Sequence, residues 1–106
     1  MFSFMEVEDT EKWIEGFKAH ADSKTGTWGY EVPITRGEFC DDSKTRIFKS
    51  VSNEKRVAVY IEAIDMTVLG PMLGDANFQK LTTDLGEKAE TKQMKILMAP
   101  PPPPGA

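Results

Sequence analysis

Apolar and polar residues alternate with two different periods along this chain. From Phe2 to Val7 the period is two: Phe2 and Phe4 alternate with Ser3 and Met5, which predicts a short strand with one aromatic and one mixed face. After Glu8-Asp9-Thr10 the period lengthens. Trp13, Ile14, Phe17 and Ala21 recur at the spacing of an amphipathic helix, which predicts a helix over about residues 10–22. Asp9 or Thr10 is placed to cap it, and the acidic residues suit the positive end of its dipole. Residues 23–43 are irregular, punctuated by Gly26, Gly29, Pro33 and Gly37, yet they carry Trp28, Tyr30, Phe39 and Cys40. A loop of this length in a compact domain is functional or mobile, and one this aromatic is expected to pack on something.

Alternation returns from Thr45 to Val51, where Ile47, Phe48 and Val51 are apolar and Arg46 and Lys49 polar. Ser52-Asn53-Glu54-Lys55 is a polar turn of hairpin length. Arg56 to Ile64 is the strongest strand pattern, with Val57, Val59 and Ile61 on one face and Tyr60 and Glu62 on the other. Asp65 caps a second helical region with an apolar face of Met66, Val68, Leu69, Met72 and Leu73, which Gly70-Pro71 is expected to break or kink. A further helix is predicted from Asp75 or Ala76 to Leu85, with Gly86 as the left-handed residue past its end. Thr91 to Met98 alternates again, Met94, Ile96 and Met98 against Gln93 and Lys95, and predicts the last strand. The five prolines from Pro100 to Pro104 have no donors for a sheet and are expected to be extended. The division is therefore a domain at 1–99 and a proline-rich tail at 100–106.

The order is β-α-β-β-α-β. This is the split βαβ pattern of an α+β, ferredoxin-like domain: a four-stranded antiparallel sheet with its helices on one face. The other face is left bare in a monomer and carries Phe, Tyr or Met side chains in either register. An exposed apolar face of that kind is an interface or a liability, and two such sheets packed with twofold symmetry remove it. A homodimer is the expected assembly.

Three stretches also resemble the dimeric α+β barrel superfamily, which includes antibiotic-biosynthesis-monooxygenase-like proteins. Val7-Glu8-Asp9-Thr10-Glu11-Lys12-Trp13-Ile14-Glu15-Gly16-Phe17 is similar to the opening strand, acidic cap and Trp/Phe helix of those proteins. Ile47-Phe48-Lys49-Ser50 and Val57-Ala58-Val59-Tyr60-Ile61-Glu62 resemble their central hairpin. Phe78-Gln79-Lys80-Leu81 before Gly86 resembles their second helix. The resemblance implies a dimeric α+β barrel. It implies either a cofactor-independent monooxygenase or isomerase, or a relative without activity. No catalytic set of that superfamily carries over residue by residue.

Composition narrows the partners. A net charge of −4 argues against a nucleic-acid backbone, which needs a basic face. With 40% apolar and 28% charged residues over 106 positions, the chain has the make-up of one soluble domain. No apolar run reaches membrane-spanning length, and no membrane partner is expected. The first residues lack the marks of a secretory signal, and the single cysteine, Cys40, permits no intrachain disulfide, so the cytoplasm is the expected location.

Few residues stand out for chemistry. His20, the only histidine, follows Trp13 and Phe17 at helical spacing. Its near-neutral pKa makes it a candidate base, against the favoured reading of a partly exposed residue at a helix C-terminus. Tyr60 and Glu62 share a face with Glu6, and Arg46 is placed to pair with one of the carboxylates. Phe48 with Met94, Ile96 and Met98 offers an adaptable apolar lumen, against plain core or dimer contact. Phe4, Trp28, Phe48, Tyr60, Glu62 and Met94 are thus the candidate ligand-binding residues, around an apolar small molecule held between sheet and partner. Neither a metal nor a phosphate motif is present, and no cofactor is expected. The alternative is a non-enzymatic dimerisation or protein-interaction module, with the 23–43 loop or the proline tail as the docking element.

Overall fold

The computed structural model describes residues 1–62 and 64–95. Four strands and three helices follow in the order β1 (Phe2–Glu6), α1 (Thr10–Ala19), β2 (Arg46–Lys49), β3 (Arg56–Tyr60), α2 (Met66–Leu73), α3 (Ala76–Asp84) and β4 (Gln93–Lys95). The sheet order is β2-β3-β1-β4, and every neighbouring pair is antiparallel. This α+β arrangement fits a ferredoxin-like fold.

The period-two pattern sorts the strands into two faces. Met5 and Ser3 of β1 stand opposite Val57 and Val59 of β3, with Val7 beyond them, and all five are buried. Ile47 of β2 and Met94 of β4 share this inner face by register. The helices cover it. Trp13, fully buried, is the anchor of α1, Leu69 and Met72 of α2, and Leu81 of α3. Each such side chain contributes about 1.5–3 kcal/mol through lost contact with water. The outer face carries Phe2, Phe4, Phe48, Ala58 and Tyr60, with Phe48 half-exposed.

Each helix starts at an aspartate. The carboxylates of Asp9, Asp65 and Asp75 accept from the backbone N–H of Lys12, Thr67 and Phe78, each satisfying a donor the helix leaves free. Gly86, at φ +80°, ends the turn after α3 in the left-handed conformation expected of it. Helix α1 is shorter than its pattern predicts. It stops at Ala19 because the chain turns back at His20 into the 23–43 segment, whose Arg36 and Gly37 N–H groups take the carbonyls of His20 and Ala21.

The expected break at Gly70-Pro71 does not occur, and α2 runs through Pro71. Proline removes one hydrogen bond, but the Asp65 cap and the burial of Leu69 and Met72 hold the short helix together. β1, β2 and β3 are also shorter than the alternation suggests. Of the last strand, the positions of Ile96 and Met98 and the proline tail lie outside the described residues.

The irregular segment is part of the core. Val32 is fully buried and Phe39 nearly so. The Asp41 N–H donates to Glu62, and the Asp65 N–H donates to Phe39 at 2.7 Å, so the segment is tied to the end of β3 and the start of α2.

Candidate functional site

Between the inner face of the sheet and the three helices lies a cavity of about 90 Å³. Ser3, Met5, Val59 and Met94 form its floor, while Trp13 and Phe17 from α1 and Phe78 from α3 form its roof. Its lining is overwhelmingly apolar, and four of its side chains are methionines: Met1, Met5, Met72 and Met94. Methionine is unbranched and polarizable, so such a wall can reshape around an occupant. Two larger recesses, of about 340 and 230 Å³, are flanked by charged groups such as Arg46 and Asp42 in one and Arg56 and Glu6 in the other. The apolar cavity has the chemistry of a small-molecule site, with a few polar groups set in hydrophobic walls.

His20 is one of those polar groups. It caps the C-terminus of α1, and it is buried at 7% exposure rather than partly exposed. The 23–43 segment folds across it. Trp28 packs edge-on at 6.0 Å between ring centres, and the Phe78 ring lies tilted at 6.2 Å. Its Nε2 lies 2.8 Å from the Ile34 carbonyl. A carbonyl only accepts, so Nε2 carries the proton and the neutral ring keeps its lone pair on Nδ1. Burial pulls the imidazole pKa below its ordinary value, the Ile34 hydrogen bond opposes that, and the nearby Arg36 charge lowers it further. At neutral pH the ring is an uncharged proton acceptor on the cavity wall.

Arg36 sits beside it and escapes a sequence reading. Its side chain is 4% exposed, its Nε donates to Asp42 at 2.6 Å, and Nη1 donates to the Phe17 carbonyl. The guanidinium lies 3.8 Å over the Phe17 ring. A buried charge needs such partners, and here all of them come from α1 and the 23–43 segment. The Thr35–Glu38 spacing was the available signal. The Glu38 carboxylate accepts from the Thr35 N–H at 2.7 Å, half of a capping box that starts a short turn and fixes Arg36 within it.

At the rim, Glu87 joins the helices to the sheet edge. It accepts from the Trp13 indole at 3.2 Å and from Lys92 at 3.1 Å. Leu73 and Met94, both over a third exposed, belong to the cavity lining.

The candidate residues fall into separate places. Phe4, Phe48 and Tyr60 lie on the outer face, with Phe2 bridging Phe4 and Tyr60 at ring distances of 6.2 and 5.0 Å, and Glu62 follows past the end of β3 beside the Tyr60 phenol. Partial burial, and then the Glu62 carboxylate, push the Tyr60 phenol pKa up. Met94 is on the inner face, so Phe48 and Met94 do not share a lumen; the alternation places them in opposite layers. Trp28 packs on His20 and donates to the Lys24 carbonyl at 3.2 Å, behind the cavity wall. Arg46 pairs with neither carboxylate. Its Nη1 donates to the Ser43 and Thr45 carbonyls, and Glu6 meets Arg56 at 3.4 Å instead. The apolar cavity thus lies on the helix side of the sheet, opposite the face expected to meet a partner.

Among the described residues no cluster of three or more His, Cys, Asp or Glu side chains is placed to hold a metal ion. Nor is any helix among them long and apolar enough to cross a membrane. Comparison of the chain with protein-family models, with curated proteins and with solved structures gave no match in any of the three.

Proposed function

We propose that this protein binds a small apolar molecule in the cavity between its helices and the inner face of its sheet. The observation that carries this reading is an apolar, methionine-walled cavity that reaches a buried neutral imidazole. Its size supports a compact occupant. An engineered apolar cavity of about 150 Å³ accepts benzene, and a pocket of about 90 Å³ has to widen at its methionines to do the same.

If the bound molecule is also transformed, the chemistry is a cofactor-free proton transfer of the kind used by monooxygenases or isomerases in the superfamily the chain resembles. His20 is the base. The outer face supports pairing with a second copy, because Phe2, Phe4, Phe48 and Tyr60 form an aromatic surface that a twofold partner would cover.

Toluene titrated into protein labelled at its methionine methyl groups tests the binding reading. Saturable shifts at Met5, Met72 and Met94, with little change at the exposed Met66, are expected. No saturable shift at the cavity methionines would overturn it. Native mass spectrometry of the freshly purified protein then shows whether an apolar ligand is carried along.

A further inference from the structure

Among the described residues, Ser3, which lines the cavity floor, carries a polar atom with no partner. Ser3 is 4% exposed, and its Oγ is sealed from solvent without a hydrogen bond among the described residues. It sits in the middle of β1, between Val59 of β3 and Met94 of β4, on the face turned to the helices. The next inward-facing positions along the chain are Met5 in β1 and Val7 just past it, and an apolar residue at position 3 would continue that series. A buried hydroxyl left unpaired is unfavourable, and it persists in a folded protein where something else repays it.

The charges around the cavity restrict what that something is. Arg36 is neutralised by Asp42 at 2.6 Å and Lys92 by Glu87 at 3.1 Å. Neither cation is left over for an anionic ligand, and a carboxylate brought into apolar walls without a counter-charge is strongly disfavoured. A serine hydroxyl both donates and accepts, so it suits a ligand hydroxyl.

We infer that Ser3 is the polar anchor of this site, and that its ligand is a small neutral molecule with an apolar body and one hydroxyl group. The inference rests on the cavity-binding reading above. The ligand's oxygen takes the hydrogen bond that the protein leaves unmade at Ser3, while its body fills the space among the methionines.

Phenol and toluene have nearly the same shape and differ in a hydroxyl against a methyl group, and benzoate adds a charge. Their dissociation constants are measured by calorimetry or methyl shifts on the full chain and on Ser3→Ala. Phenol is expected to bind the unaltered protein about tenfold more tightly than toluene, the scale of one good hydrogen bond. Ser3→Ala removes that preference and leaves toluene affinity unchanged. The ligand-free variant should also melt at a higher temperature, since it loses an unpaired hydroxyl; a hydroxyl engaged within the protein would give a lower one. Should Ser3→Ala not fold, Ser3→Cys keeps the volume with a much weaker donor and is expected to lose the same preference. Equal losses for phenol and toluene, an unchanged phenol preference, or benzoate binding more tightly than phenol would each overturn the inference. Toluene binding without any phenol preference overturns the anchor alone, whereas failure of both neutral probes overturns the cavity reading beneath it.

Discussion

His20 has two ring nitrogens and one close carbonyl, and that asymmetry sets its behaviour. Burial disfavours the imidazolium in the folded chain, whereas the unfolded chain protonates it near its ordinary value of 6.5. Between the lowered folded pKa and 6.5 the unfolded state therefore holds more protons. The stabilisation from His20 is fully present above pH 6.5 and is lost as pH falls through the folded pKa. Urea midpoints measured from pH 7.5 down to pH 5 should fall in the unaltered protein and stay nearly flat over the same window in His20→Gln. Asp41 and Asp65, held low mainly by hydrogen bonds from Ser43 and Thr67, act in the same direction only in the more acidic range around their ordinary 3.8 and below. The position of His20 beside Trp13 and Phe17 was legible from helical spacing. Its burial was not, because the residues that cover it come from a segment with no period to read. For the same reason Arg36, an arginine among loop residues, reads as solvated until the fold supplies Asp42 and the Phe17 ring.

Helix α1 approaches its neighbours closely at one point. A Cβ added to Gly16 would stand 2.4 Å from Leu85 Cδ2 and 2.9 Å from Cδ1. Gly16→Ala gains helix propensity of up to about 1 kcal/mol, but it overpacks a buried contact, which costs about 1–3 kcal/mol. A net loss of about 1 kcal/mol is expected from denaturation midpoints. Leu85→Ala should cost about 2–5 kcal/mol by opening a void. Combined, the two changes should cost less than their sum, since the added methyl fills part of that void. The elements themselves were largely written in the pattern: the four strands, the aspartate caps and the left-handed Gly86 all follow from residue type and spacing. The continuity of α2 through Pro71 was not, because local chemistry says break there while burial of Leu69 and Met72 on either side overrides it.

For the molecule as a whole, parity along the strands separates two layers but does not say which one the helices cover. Phe48 and Met94 look alike as apolar strand residues, yet one faces outward and the other floors the cavity. That is why the order of strands and helices was readable from the sequence while the layer that holds the cavity was not. The outer layer gives the assembly prediction. Phe4 and Phe48, 37% and 51% exposed, lie in one row across the sheet with Ala58 between them. Sedimentation velocity over a concentration series should show a dimer. Phe4→Glu with Phe48→Glu should weaken it at least about tenfold, a change of ~1.4 kcal/mol, and leave toluene binding intact. A monomer at every concentration in the unaltered protein would rule out pairing through this face.

Strand β4 holds a further consequence, one of rates. Among the described residues it lies at the edge of the sheet, paired with β1 through Gln93–Lys95, and it carries Met94, which lines the cavity. A strand at a sheet edge opens more readily than a helix packed through Trp13, so passage past β4 is the expected route into the cavity. Amide hydrogens at 93–95 should exchange faster than those of β3, and a bound occupant should slow them. The lifetime of the complex would then track the fraying of β4, shortening in mild denaturant well before the protein unfolds. An occupant held this way leaves at a speed set by the backbone, however snugly its own shape fits.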